Sequence, residues 1–189
     1  MKYALKQLFQ KNSHTRNVFL LISGTVIAQL LAIVITPIIT RLYSPEEFGQ
    51  FTVFSSILGI FVVIANLRYE QAIPLSNDNE DAFQILTLCI AITTAFSILT
   101  AVIILVWGVE ILNKLNITLI EGYLILLPIG VFVGGIHGAL NYWAVRVKGF
   151  KNISQATVYQ TFATLVVQLS AYKIGSIALI LAPIFGQIV

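Results

Sequence analysis

The chain is a succession of long apolar runs joined by short polar connectors, and that pattern leaves it few architectures. Runs over 18–40, 50–73, 83–109, 119–145 and 153–171 can each carry a helix across a bilayer core of about 30 Å at roughly 1.5 Å per residue. A sixth run, 176–189, gives only about 21 Å at that rise and has no closing charge. The fold class expected is all-α integral membrane: five full transmembrane helices plus a partial sixth. With 58% hydrophobic and 10% charged residues, the composition belongs to a polytopic membrane protein rather than a soluble core. The short last run reads as the front part of a longer protein.

Residues 1–17 form a basic lead in which Leu5, Leu8 and Phe9 fall at i, i+3, i+4 among Lys2, Lys6 and Lys11. This suits a cytoplasmic amphipathic helix at a membrane surface, and a basic tail without structure suits it nearly as well. The first apolar run is longer than a signal-peptide core of ~7–15 residues and ends in Thr40-Arg41-Leu42 without a small-residue cleavage site. It is therefore read as a retained span. With the N-terminus in the cytoplasm, eight Lys and Arg residues lie on the inner side and three on the outer, which supports that orientation in the cell (inner) membrane. Cys89 is the only cysteine, which excludes an internal disulfide and a cysteine metal site.

Polar residues recur at helical spacing. Thr25, Gln29, Thr36 and Thr40 share one face of the first run; Thr52, Ser56, Gly59, Asn66 and Glu70 share one of the second. Gly130, Gly134, His137 and Asn141 align in the fourth, and Thr157, Gln160, Thr161, Thr164 and Gln168 in the fifth. Helix packing accounts better for the glycines. Gln29, Gln160 and Gln168 are too large for close packing and suit a wet cavity. His137 reads more readily as a hydrogen-bonded packing residue than as a proton carrier, and nothing beside it has metal-ligand spacing. No cofactor is expected.

The stretch Asn66-Leu67-Arg68-Tyr69-Glu70 carries opposite charges near the end of the second run. A spanning helix there must take in residues 68–73, where an arginine costs about 2.5–3.5 kcal/mol unless it snorkels or meets water or a partner. Two residues apart on an ideal helix, Arg68 and Glu70 point to opposite sides and cannot pair. The stripe aims Glu70 at the cavity and turns Arg68 away from it. Pro37, Pro128 and Pro183 fall within spans, where each can kink its helix. No phosphate loop, carboxylate pair or nucleophile–base set suggests an enzyme, and nothing points to nucleic acid. The basic stretch around Arg146 reads as an interfacial anchor.

Several stretches carry a family likeness. Ser23-Gly24-Thr25 with Gln29, the run from Pro37 through Thr40-Arg41-Leu42-Tyr43-Ser44-Pro45-Glu46-Glu47-Phe48-Gly49, and Leu67-Arg68-Tyr69-Glu70-Gln71-Ala72-Ile73-Pro74 resemble Wzx-type O-antigen and capsular polysaccharide flippases. These belong to the multidrug/oligosaccharidyl-lipid/polysaccharide (MOP) exporter superfamily. Asn141-Tyr142-Trp143 and the stretch Leu179-Ile180 to Gly186-Gln187 are similar as well. The resemblance implies that 18–189 is the N-terminal transmembrane lobe of a two-lobed transporter whose second lobe is missing here. It implies alternating access, with an undecaprenyl-diphosphate-linked oligosaccharide as the transported partner. Arg68 would bind diphosphate, although the first span lacks the arginine found in related lipid II flippases. Glu70 would couple to a cation or balance charge, Asn66, Gln29, Asn141, Gln160 and Gln168 would line the sugar path, and Arg41 and Pro37 would belong to a gate or loop. The alternatives are a multidrug/cation antiporter of the same superfamily, or a non-transporting scaffold beside a glycan polymerase or glycosyltransferase.

Overall fold

The apolar runs become six α-helices in a computed structural model that describes residues 2–115 and 118–188, with side chains described for 19, 21–114 and 120–188. They are α1 (Lys2–Leu42), α2 (Pro45–Ala65), α3 (Asn79–Leu115), α4 (Leu126–Arg146), α5 (Phe150–Ser170) and α6 (Ser176–Ile188). Short 3-10 helices over Tyr69–Leu75, Thr118–Tyr123 and Tyr172–Ile174 connect them. The helices run up and down, so one end of the bundle carries the α1–α2 turn at Tyr43 and the other the α4–α5 turn after Arg146. These are the Tyr43 end and the Arg146 end of the bundle.

Local chemistry accounts for the tightest turn. Ser44-Pro45-Glu46-Glu47 builds a capping box: the Glu47 amide donates to Ser44 Oγ at 3.2 Å, and the Ser44 amide donates to Glu47 Oε2 at 2.6 Å. Pro45 then occupies the first helical turn, where its missing N–H costs nothing. Pro128 likewise falls in the first turn of α4 and does not kink it, whereas Pro37 and Pro183 lie inside α1 and α6. The basic lead is helical in backbone and continuous with the first span; the amphipathic face expected of Leu5, Leu8 and Phe9 lies outside the described side chains.

Among the described residues, three helices are long and apolar enough to cross a membrane: Leu21–Leu42, Pro45–Ala65 and Asn79–Lys114, with mean hydropathies of 2.2, 2.0 and 2.6. Helices α4 and α5, at 21 residues each, have the length for a bilayer core but carry more polar side chains, and α6 has only 13 residues. Large apolar side chains stand exposed along the outer faces of α1 (Phe19, Leu30, Ile33, Val34) and α3 (Ile98, Leu99, Leu105, Val106). Apolar faces of this extent mark a surface that meets lipid.

Two sequence expectations change. Short connectors predict that consecutive helices pack side by side, yet α1 packs along α5 and not along α2. Gly24 permits the contact, since its missing Cβ lets α1 settle directly onto Ser154 of α5. Helix α5 in turn packs on α6, α6 on α2 and α4, and α3 on α4. The second change is the end of α2. The helix does not continue to Ile73 but stops at Ala65, and Leu67 (φ 48°) and Arg68 (φ 64°) turn the chain through the left-handed region. Such a conformation costs roughly 1–2 kcal/mol per non-glycine residue. The buried Asn66 side chain holds the break from within.

Candidate functional site

Two cavities lie along α5, one towards each end of the bundle. The first, about 300 Å³, opens between α1, α2, α5 and α6. Gln160, Thr161, Thr164 and Gln168 of α5 form its polar wall, with Thr36 opposite and Phe48 and Phe51 as an aromatic floor. The second, about 290 Å³, opens between α4, α5 and the end of α6, and its polar lining is His137, Asn141, Asn152, Thr157, Gln160 and Gln187. Both fall near the lower end of ligand-pocket sizes. Among the described residues, no Asp, Glu, Lys or Arg lines either of them.

The threonines are less versatile than they look. Thr157, Thr161 and Thr164 each donate to the carbonyl one turn back, at 2.9, 2.9 and 2.8 Å, so towards the cavities they offer mainly oxygen lone pairs. The side-chain amides of Gln160 and Gln168 have no hydrogen-bond partner among the described residues, and each keeps two donors and an acceptor for whatever enters. Such walls match ligands that both donate and accept without charge, as hydroxyl groups do.

Tethers close the ends. At the Tyr43 end, the Tyr43 hydroxyl donates 2.6 Å to the Gln168 carbonyl and pins the end of α1 to the end of α5. Burial first, and then the nearby Glu47 carboxylate, push the Tyr43 phenol above its ordinary 10.0. Ser176 joins Gln50 of α2 to Tyr123, whose hydroxyl is 2.8 Å away. At the Arg146 end, the guanidinium donates to the carbonyls of Ile73 (3.0 Å), Ser76 (2.7 Å) and Asp78 (2.7 Å) and to Asn79 Oδ1 (3.3 Å). Arg146 is therefore a clasp on the α2–α3 connection and not merely an interfacial anchor.

Of the residues singled out from sequence, Gln160 and Gln168 line the first cavity, and Asn141 and Gln160 the second. Gln29 shares its α1 face with Thr36 two turns on, but it is exposed and lies outside both walls. Asn66 is buried in a dry contact: its Nδ2 donates to the Gly135 carbonyl at 2.8 Å, and its Oδ1 accepts from Thr93. Glu70, expected to face the cavity, is instead buried in the segment packed on α3 and α4, and its Oε2 has no partner among the described residues. The helix break explains the difference, because once α2 stops at Ala65 its stripe no longer aims Glu70. The same break leaves the Arg68 side chain exposed and outside both cavity walls. Arg41 and Pro37 are exposed on the last two turns of α1, beside Thr36 and Ile39 but not in the wall. No cluster of three His, Cys, Asp or Glu side chains gathers among the described residues.

Sequence reasoning passed over Asn152 and Gln187, which sit at helix ends and belong to no stripe, and the α3 series Cys89, Thr93, Ser97 and Thr100. That series was readable, since its spacings of 4, 4 and 3 trace one face. Ser97 donates to the Pro128 carbonyl at 2.7 Å, and a Cβ on Gly135 would come within 2.6 Å of Thr93, so this face packs against α4. Gly130 and Gly134 serve α2 in the same way: a Cβ there would meet Leu58 at 2.8 Å and Val62 at 2.7 Å.

The chain belongs to the polysaccharide biosynthesis protein family, whose model matches residues 14–187. No curated protein and no solved structure matches it. Membership joins a membrane-embedded helical bundle to polysaccharide synthesis or export.

Proposed function

We propose that this protein carries a lipid-linked oligosaccharide across the cytoplasmic membrane for surface polysaccharide or O-antigen assembly, by alternating access of the kind Wzx-type flippases of the MOP superfamily use. The observation that carries this reading is the pair of uncharged, amide- and hydroxyl-lined cavities along α5 in an otherwise apolar bundle. In it α4 and α5 cross the bilayer too, their polar faces turned to the cavities, with the N-terminus cytoplasmic. A sugar headgroup presents hydroxyls that match free amides and threonine oxygens. Neither wall offers a carboxylate among the described residues to pair with a cationic drug, which favours the sugar reading over the cation antiporter. Arg68, exposed at the break after α2, supplies the phosphate contact at the Arg146 end, because a guanidinium grips phosphate oxygens through a bidentate fork. Glu70 balances charge at that end, and the protein needs no cofactor.

The test is the double substitution Gln160→Leu with Gln168→Leu, introduced into the gene in its own host, with surface glycan as the readout. The carrier reading expects at least a tenfold loss of surface glycan at unchanged protein level. Wild-type glycan with the double variant would favour a scaffold that holds a polymerase or glycosyltransferase in place.

A further inference from the structure

Two independent features meet at one side chain. Gln160 is the residue that lines both cavities, and it stands at the midpoint of α5, ten residues from Phe150 and ten from Ser170. From there the first cavity follows α5 towards the Tyr43 end through Thr164 and Gln168, while the second follows it towards the Arg146 end through Thr157 and Asn152. At about 1.5 Å per residue, Gln160 lies roughly 15 Å from either end of the helix.

Helix α6 presses on the same turn. A Cβ on Gly186 would collide with Thr164 Oγ1 and lie 2.8 Å from the Gln160 carbonyl and 3.3 Å from Gln160 Cγ, so only glycine lets the α6 backbone rest there. Thr164 also reaches the Ala182 carbonyl at 3.4 Å. The backbone around Gln160 is thus held firmly, while its amide stays unpartnered among the described residues.

We infer that the Gln160 side chain is the partition between the two cavities, the checkpoint through which an uncharged, hydroxyl-bearing part of the ligand passes from one to the other. This rests on the carrier reading. An amide suits the task because it can donate to one hydroxyl and accept from the next with no change of charge, and a rotamer change is enough to swing it aside. A carboxylate or ammonium at that depth would carry a desolvation cost that the neutral amide escapes. Gly186 is the seat that keeps α6 from tilting away and opening both cavities at once.

The experiment uses single cysteines in the full-length protein with Cys89 replaced (Cys89→Ala), in membrane vesicles of known orientation, probed with a charged, membrane-impermeant thiol reagent from either side. Thr161→Cys reports the first cavity and Asn141→Cys the second, and each is expected to label from its own side only. Gln160→Cys is expected to label from both sides. Gln160→Trp, which fills the junction, is expected to cut surface glycan at least tenfold while Asn141→Cys in the same background still labels, showing an intact fold. Gln160→Cys labelling from one side only, with Thr161 and Asn141 behaving as expected, overturns the partition and leaves the carrier reading standing. So does normal glycan export by Gln160→Trp. Failure of Thr161→Cys and Asn141→Cys to label at all overturns the carrier reading, and the partition with it.

Discussion

The α3–α4 side of the bundle and the α5 side both carry hydroxyls and amides at helical spacing, and they use them in opposite ways. Between α3 and α4, Asn66 bonds to Thr93 and to the Gly135 carbonyl, and Ser97 bonds to the Pro128 carbonyl, while the cavity of about 360 Å³ beside them is walled almost wholly by apolar side chains such as Phe61, Phe96 and Leu99. Along α5, Gln160 and Gln168 bond to nothing among the described residues and look into cavities. Residue type does not separate the two sides; the neighbours do. Where a glycine such as Gly135 lets two helices meet, a polar side chain finds a protein partner. Where α1 leans onto α5 at Gly24 and so away from α2, a gap opens and the amides have only a visitor to meet. The lesson is that one side of the lobe is built to stay put and the other to receive.

The comparison breaks most visibly at Arg146. Its four hydrogen bonds are charge-assisted on the donor side, and removing the guanidinium leaves three carbonyls of the α2–α3 connection without it. Arg146→Ala is expected to lower stability by about 2–4 kcal/mol in detergent, read from thermal or denaturant unfolding. Arg146→Lys keeps the charge but loses the fork, and should recover less than half. If Arg146→Ala unfolds like wild type, the Arg146 end is not clasped and the static half of the contrast fails.

A smaller and more direct contrast sets amide against amide. Asn66→Ala strips two partners and should destabilise by about 1–3 kcal/mol, because the buried Thr93 hydroxyl loses its acceptor and the Gly135 carbonyl its second donor. Gln168→Leu removes an amide with no partner and should cost less than about 0.5 kcal/mol, or even stabilise. Equal losses would mean that the α5 amides are packed and bonded, and the cavities would lose their meaning.

How much of this was legible beforehand follows from what periodicity encodes. Apolar length located the helices; the start of α2 at Pro45, ahead of the 50–73 run, was written in the Ser44-Pro45-Glu46-Glu47 box, a local signal that a reading by apolar length passes over. A stripe of Thr and Gln shows that a helix has a distinguished face. It cannot say whether that face meets water or a neighbour, which depends on helices far away in sequence. Gln29, Gln160 and Gln168 stand out by size, yet Gln29 lies outside the walls that Gln160 and Gln168 line; Asn66 stands out by its place in a stripe and is bonded to protein on both sides. The end of α2 was hidden because Leu67 and Arg68 adopt positive φ with no glycine or proline to announce it. The nearest visible breaker, Pro74, comes several residues later, and assuming continuity up to it misplaced both Arg68 and Glu70.

A single-bond effect tests whether α1 is tied to α5 at the far end, which bounds the first cavity. Tyr43→Phe removes the hydroxyl that reaches the Gln168 carbonyl and should cost about 1 kcal/mol. Its pH signature is sharper than its size. The Tyr43 phenol titrates higher in the folded protein than its ordinary 10.0, so folding favours the protonated, donating form. The contribution is therefore fully present below about pH 10, the unfolded phenol's range, and fades as pH rises through the folded value. Wild-type stability should fall more steeply than that of Tyr43→Phe above pH 10, and the two melting curves should converge there. Parallel curves across that range would mean that the phenol ionises freely, and that the Tyr43 end of the cavity is open rather than tied.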